Sequence, residues 1–310
     1  MEQHPRRITF LSADGVSHVA GWIYTPEGTP RGVIQISHGM CEYFQRYHRF
    51  ISDMVGEGFV VCGNDHIGHG DSSRPENYGY FGEKNSYRYL VADLHRMTTL
   101  VKKDYPHLPY FLFGHSMGSF IARLYLARYG SELDGAIICG TGGSNPLAHL
   151  GVVACSCTAW FRGGHYRSHV LDRMAFGSFN KKCHPQRTDK DWLTRDEAVV
   201  DRYLQDPRCS FSFTACGYRD LSRLSILANR RAWFRAVPKK LPILLIAGDK
   251  DPVGHYGKGV EQVYRRLQKA GVEKVSIHLY PDARHELFNE RNYDVVYKDV
   301  NLWLNHCLTR

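Results

Sequence analysis

Along the first 142 residues, short apolar, β-branched runs alternate with longer stretches whose apolar residues recur every three or four positions. Short apolar runs read as strands and the 3–4 spacing as amphipathic helices, so the alternation predicts βα units and a largely parallel sheet. The predicted strands are 7–11 and 18–24, joined as an opening hairpin by the turn signal Ala13-Asp14-Gly15, then 32–37, 59–64, 110–114 and 135–139. Helices are expected at 43–57, 86–103 and 117–129, the last stopped by Gly130. The alternation resumes with a strand at 242–247, a helix at 257–270 closed by Gly271, a strand at 275–280 and a helix at 293–308. Between these two blocks the pattern breaks. No internal repeat and no low-complexity linker separates independent domains, so residues 1–142 and 241–310 read as one α/β core carrying 143–240 as an inserted cap.

Composition narrows the class. A chain of 310 residues with 43% hydrophobic and 23% charged positions is an ordinary globular protein, large enough for a substantial core. The longest nearly uncharged stretch, about residues 147–161, is interrupted by His149 and falls short of a membrane span. The polar start, which lacks the apolar segment of a signal peptide, argues against secretion. Nine cysteines without a Cys-x-x-Cys pair suggest neither a closed disulfide framework nor a zinc site; reduced thiols in a cytoplasm are expected.

The net charge of +9 is unevenly spread. Residues 143–240 hold 17 Lys or Arg against 8 Asp or Glu, whereas the remainder is balanced. Such a segment is either a solvated, Arg-rich helical face or a surface that faces an anion. No helix-turn-helix, zinc-finger or aromatic-basic RNA motif accompanies it, so nucleic acid is not an expected partner.

The chemistry starts at Gly114-His115-Ser116-Met117-Gly118, a Gly-x-Ser-x-Gly motif directly after an apolar strand and directly before a helical run. A serine at that corner projects its Oγ from the carboxyl edge of the sheet, and the helix N-terminus offers N–H groups to a developing oxyanion. The hydroxyl needs a base, and the base an orienting acid, at the ends of later strands. His285 follows the strand at 275–280 and is the expected base. Asp249 and Asp251 both follow the strand at 242–247; Asp251 is preferred, and either could simply cap a turn. The second oxyanion donor is expected after the strand at 32–37, which makes the backbone N–H groups of Met40 and Met117 the candidate pair.

The segments His38-Gly39-Met40 with Glu42 and Arg46-Tyr47, Asp65-His66-Ile67-Gly68-His69-Gly70-Asp71-Ser72, and Gly114 to Gly118, together with Gly248, Asp251 and His285, resemble the monoacylglycerol lipase and lysophospholipase-like branch of the α/β-hydrolases. The resemblance implies the α/β-hydrolase fold, a mostly parallel central sheet flanked by helices with an inserted helical cap. It also implies a serine hydrolase of lipid-like carboxylic esters, such as monoacylglycerols or lysophospholipids, that needs no metal or cofactor. Its Gly-x-x-Asp pattern supports Asp251, and it places Glu42 and Arg46 near the polar head group. By spacing these two can also pair across a turn and fix the loop. Tyr43 stands where the family commonly has His, and the insert matches the family only in position.

Other outcomes of the same machinery are an esterase, thioesterase or peptidase acting on a non-lipid substrate; a non-catalytic binding protein would show an incomplete triad. The apolar run 147–161 is expected to be a helix, either buried against the substrate tunnel, the preferred arrangement, or exposed as a membrane-docking patch. Arg162, Arg167, Arg173, Lys181 and Lys182 beside it could attract anionic lipid, giving a cytoplasmic protein with peripheral membrane contact.

Overall fold

The computed structural model describes residues 5–309. Its sheet has eight strands: β1 (Arg6–Leu11), β2 (His18–Tyr24), β3 (Gly32–Ser37), β4 (Phe59–Asn64), β5 (Tyr110–His115), β6 (Gly135–Cys139), β7 (Ile243–Gly248) and β8 (Val275–Tyr280), in the spatial order β1-β2-β4-β3-β5-β6-β7-β8. The β1–β2 and β2–β4 pairs are antiparallel, and every pair from β4 onward is parallel. Strands β3 to β7 are buried along their whole length, as continuous apolar runs must be when helices cover both faces. The edge strands β1 and β8 alternate between exposed and partly buried positions.

Helices α1 (His48–Gly56) and α10 (Tyr293–Leu308) pack on one face through Phe50, Met54, Val296 and Val300. Helices α2 (Tyr87–Asp104), α3 (Met117–Tyr129) and α9 (Lys258–Lys269) cover the other through Leu90, Leu94, Ile121, Tyr125, Val260 and Leu267. The helix expected at 43–57 is shorter: residues Phe44–Tyr47 form a 3₁₀ turn and α1 begins only at His48. The cause is local. The Asp65 carboxylate takes the Phe44 N–H at 2.8 Å, and Glu42, Arg46 and Tyr47 turn inward toward one another instead of following an α-helical surface.

Between β6 and β7 the described chain is helical: α4 (Leu147–Arg162), α5 (His169–Phe176), α6 (Glu197–Gln205), α7 (Ala215–Ala228) and α8 (Arg231–Ala236). Side chains of Ser168, Asp196 and Thr214 cap α5, α6 and α7. Helix α4 differs from the preferred expectation. Only Cys155 is buried, while Leu147, Leu150, Val153, Trp160 and Phe161 are 60–80% exposed, so its apolar side faces outward. A single helix one layer thick can bury only one stripe, and α4 spends its stripe on α7. Among the described residues, no helix is long and apolar enough to cross a membrane.

Candidate active site

The loops that follow β3, β5, β7 and β8 meet at the carboxyl edge of the parallel sheet. Ser116 stands at the corner between β5 and α3 with φ 52° and ψ −119°, a conformation that is strained for any residue with a side chain. Its N–H donates to Cys139 O at 3.0 Å, and its own carbonyl accepts from Ser119 N at 2.9 Å. The flanking glycines explain the motif. A Cβ on Gly118 would lie 2.1 Å from Ser37 O, and one on Gly114 would lie 2.6 Å from Gly118 O, so α3 sits this close to β3 and β5 only because both positions lack a side chain.

His285 follows β8 and Asp251 follows β7. The His285 Nδ1–H donates to Asp251 Oδ2 at 2.9 Å, with both residues buried. Asp251 Oδ1 accepts from Val253 N at 2.8 Å, which fixes the carboxylate plane. Asp249 points away, accepting from Asp282 N and pairing with Lys250 at the surface. With Nδ1 so engaged, Nε2 is the ring nitrogen that remains. It is buried and has no hydrogen-bond partner among the described residues; no hydrogen bond joins it to Ser116 Oγ. The His115 ring, next to Ser116 in sequence, lies 4.7 Å from the His285 ring, and a Cβ on Gly39 would sit 3.0 Å from Ser116 Cβ. These contacts bring the three loops together. Among the described residues, the backbone N–H groups of Met40 and Met117 enter no hydrogen bond to a turn or loop group.

Under the site lies a buried charge network that sequence reading caught only in part. Glu42 Oε1 accepts from Gly39 N, from Tyr47 OH at 2.7 Å and from His115 Nδ1 at 3.0 Å, while Oε2 faces Arg46 at 3.1 Å. Arg46 also grips Glu286 through two bonds of 2.8 Å. The second nitrogen of His115 donates to the His285 carbonyl at 3.3 Å, so both its nitrogens face acceptors. Burial works against charge on His115, but Glu42 outweighs it and raises the imidazole above its ordinary value. Burial would likewise lift Glu42, yet His115 and Arg46 hold its carboxyl well below the usual range. Glu42 thus lies between the Arg46 guanidinium and the His115 imidazole, and Glu286 holds the other side of Arg46. Glu42 and Arg46 are both buried and spend their polar groups inside the protein, on one another, on Gly39 and Tyr47 of the same loop, and on His115 and Glu286. His115 and Glu286 were legible only as sequence neighbours of Ser116 and His285.

The chain between α5 and α6 closes over the histidine loop. His285 N donates to Trp192 O at 3.4 Å, Glu286 N to Leu193 O at 2.7 Å, and Arg284 reaches the carbonyls of Asp191 and Thr194. Glu290 accepts from the backbone N–H groups of Arg284, Arg195 and Arg291 and from Arg195 Nε, all within 3.0 Å. The Trp192 ring packs on His285 at 5.0 Å.

A strained serine at a strand–helix corner, a buried Asp–His pair and two backbone donors can carry acyl transfer. The family described as serine aminopeptidase, S33, matches residues 28–292. The chain belongs to this family. It is 30% identical over 302 residues to a monoacylglycerol lipase of Mycolicibacterium smegmatis, covering 96% of this chain and 95% of that protein. The monoglyceride lipase of Mus musculus is 28% identical, covering 96% and 89%. A thermostable carboxyl esterase from Bacillus coagulans, solved with glycerol, superposes with a TM-score of 0.92 at 34% identity, covering 98% of this chain and 99% of that one. The fold is that of the α/β-hydrolases, and the lipase-like resemblance in the sequence motifs agrees with these relatives.

Proposed function

We propose that the protein is a serine carboxylester hydrolase that cleaves lipid-like esters, monoacylglycerols or lysophospholipids, through an acyl-enzyme. Ser116 Oγ attacks the ester carbonyl while His285 Nε2, oriented by Asp251, takes its proton and returns it to the leaving alcohol. The Met40 and Met117 N–H groups hold the oxyanion, and water repeats the sequence on the acyl-enzyme. Glu42 and Arg46 act as loop-fixing residues, setting Gly39 and His115 around the nucleophile. The observation that carries this reading is the 2.9 Å Asp251–His285 bond, which leaves His285 Nε2 open, together with the strained corner at Ser116. No metal or cofactor enters the chemistry.

Residues 143–240 act as a cap that excludes water from the acyl-enzyme. The outward apolar face of α4, with Arg162 in its last turn, supports peripheral contact with an anionic membrane. Arg167 does not belong to that surface: its guanidinium donates to the carbonyls of Glu76, Tyr78 and Ser212. Buried thiols such as Cys41, Cys62, Cys139 and Cys155 fit a reducing, cytoplasmic setting.

Two experiments test these assignments. Across a monoacylglycerol, a lysophospholipid and an aminoacyl amide of matched acyl length, the long-chain esters are hydrolysed preferentially; preference for the amide would contradict the lipid reading. In flotation at low salt the protein rises with anionic liposomes, and Leu150→Asp with Trp160→Asp stays below; absence of flotation by the wild type removes the membrane contact.

A further inference from the structure

The indole of Trp192 is buried, and its Nε1–H has no acceptor among the described residues. A buried Trp N–H ordinarily finds a partner, because leaving it dry costs about 1–3 kcal/mol. Its ring neighbours are Phe176, stacked at 6.1 Å, Phe179, edge-on at 4.9 Å, and His285 at 5.0 Å. Neither phenyl ring offers a lone pair, and no hydrogen bond joins the indole N–H to the open Nε2 of His285. The backbone of the residue is anchored as well, since Trp192 N donates to Asn180 Oδ1 at 2.9 Å and Trp192 O accepts from His285 N. Two rings in contact each carry an open nitrogen, one the presumed base and the other a pure donor.

The position of the base says which part of a substrate comes here. His285 must deliver its proton to the leaving oxygen, so the alcohol portion of the ester is the part that lies against the imidazole. The indole is packed on that imidazole, and its N–H is the unpartnered donor next to it. Resting on the assignment of Ser116 and His285 made above, we propose that Trp192 is a specificity-determining residue whose Nε1–H binds a hydroxyl oxygen of the alcohol portion, favouring polyol esters over simple alkyl esters. A site built around such a donor discriminates against an alcohol that cannot accept, because the N–H then stays unpaired.

The test compares a 1-monoacylglycerol with the methyl ester of the same fatty acid, in wild type, in Trp192→Phe, and in a protein with β-(3-benzothienyl)alanine at 192, which keeps the fused rings but lacks the N–H. Rates are normalised to active sites titrated with a fluorophosphonate. In both variants the ratio of kcat/KM for glycerol ester over methyl ester is expected to fall about three- to tenfold, the value of one neutral hydrogen bond. Loss common to both substrates cancels in this ratio. An unchanged ratio in the benzothienyl protein overturns the inference while leaving the triad intact. Failure of the fluorophosphonate to label wild-type Ser116 instead overturns the reading on which it rests.

Discussion

At the scale of single residues, the site stores strain and compensates it locally. Ser116 holds a backbone conformation that costs of order 1–3 kcal/mol, and the Ser116–Cys139 bond together with two side-chain-free neighbours keeps it there. Asp251 orients rather than supports: its Oδ2 sets the His285 tautomer, whereas Oδ1 serves the Val253 N–H. Asp251→Asn should therefore fold normally but drop kcat on the order of ten-thousandfold, because the amide favours the wrong imidazole tautomer. Thermal melts alongside steady-state rates check this, and a loss below tenfold would remove Asp251 from the triad.

At the scale of elements, most strands and helices were legible because each is one clean period. Strands β2, β3, β4, β6 and β8 and helices α3 and α10 coincide with the runs read from the sequence. The loop after β3 was not. Its 3₁₀ turn is dictated by contacts far along the chain, from Phe44 to Asp65 and from Arg46 to Glu286, that no local period encodes. Likewise Ser116, Asp251 and His285 announce themselves by their place after strands, but Trp192 reads only as one more cap aromatic. Its role depends on the latch between 191–195 and 284–290, which joins residues about ninety positions apart. Glu290 is the centre of that latch. Glu290→Ala strips three backbone N–H groups of their acceptor and is expected to cost about 3 kcal/mol or more of stability. Denaturant titration reads the cost, and a change under 1 kcal/mol would show the latch to be incidental.

At the scale of the whole molecule, buried histidines and buried carboxyls set the response to pH with opposite signs. His38 donates from Nδ1 to Gly39 O and accepts at Nε2 from His66 N, so it is held neutral, and burial lowers it to about 4. His66 and His69 are also pushed well below the ordinary histidine value by burial. A base lowered on folding is protonated first in the unfolded chain, so its stability is complete above about 6.5 and is lost as pH falls toward 4. For His38 alone this is about 3 kcal/mol. His115 has the opposite sign, stabilising below the ordinary histidine value and losing that contribution as pH rises. Glu42 contributes above the usual carboxylate value and fails only in stronger acid. His115 and the carboxyls of Asp65 and Asp93, which burial raises to about 7 and about 6, act against these three histidines, so the histidine contribution is read by comparison with His38→Gln: the wild-type urea midpoint is expected to fall more steeply between pH 7 and pH 5, and equal slopes would mean that His38 does not stay neutral in the fold.

The most direct measurement is the hydrolysis of a long-chain monoacylglycerol by wild type and Ser116→Ala at equal concentration, with melting temperatures recorded for both. The expected result is a loss of at least about a thousandfold in kcat, with only the residual rate due to binding and the oxyanion donors, and an unchanged melt. Turnover by Ser116→Ala within tenfold of wild type would contradict nucleophilic catalysis at this serine.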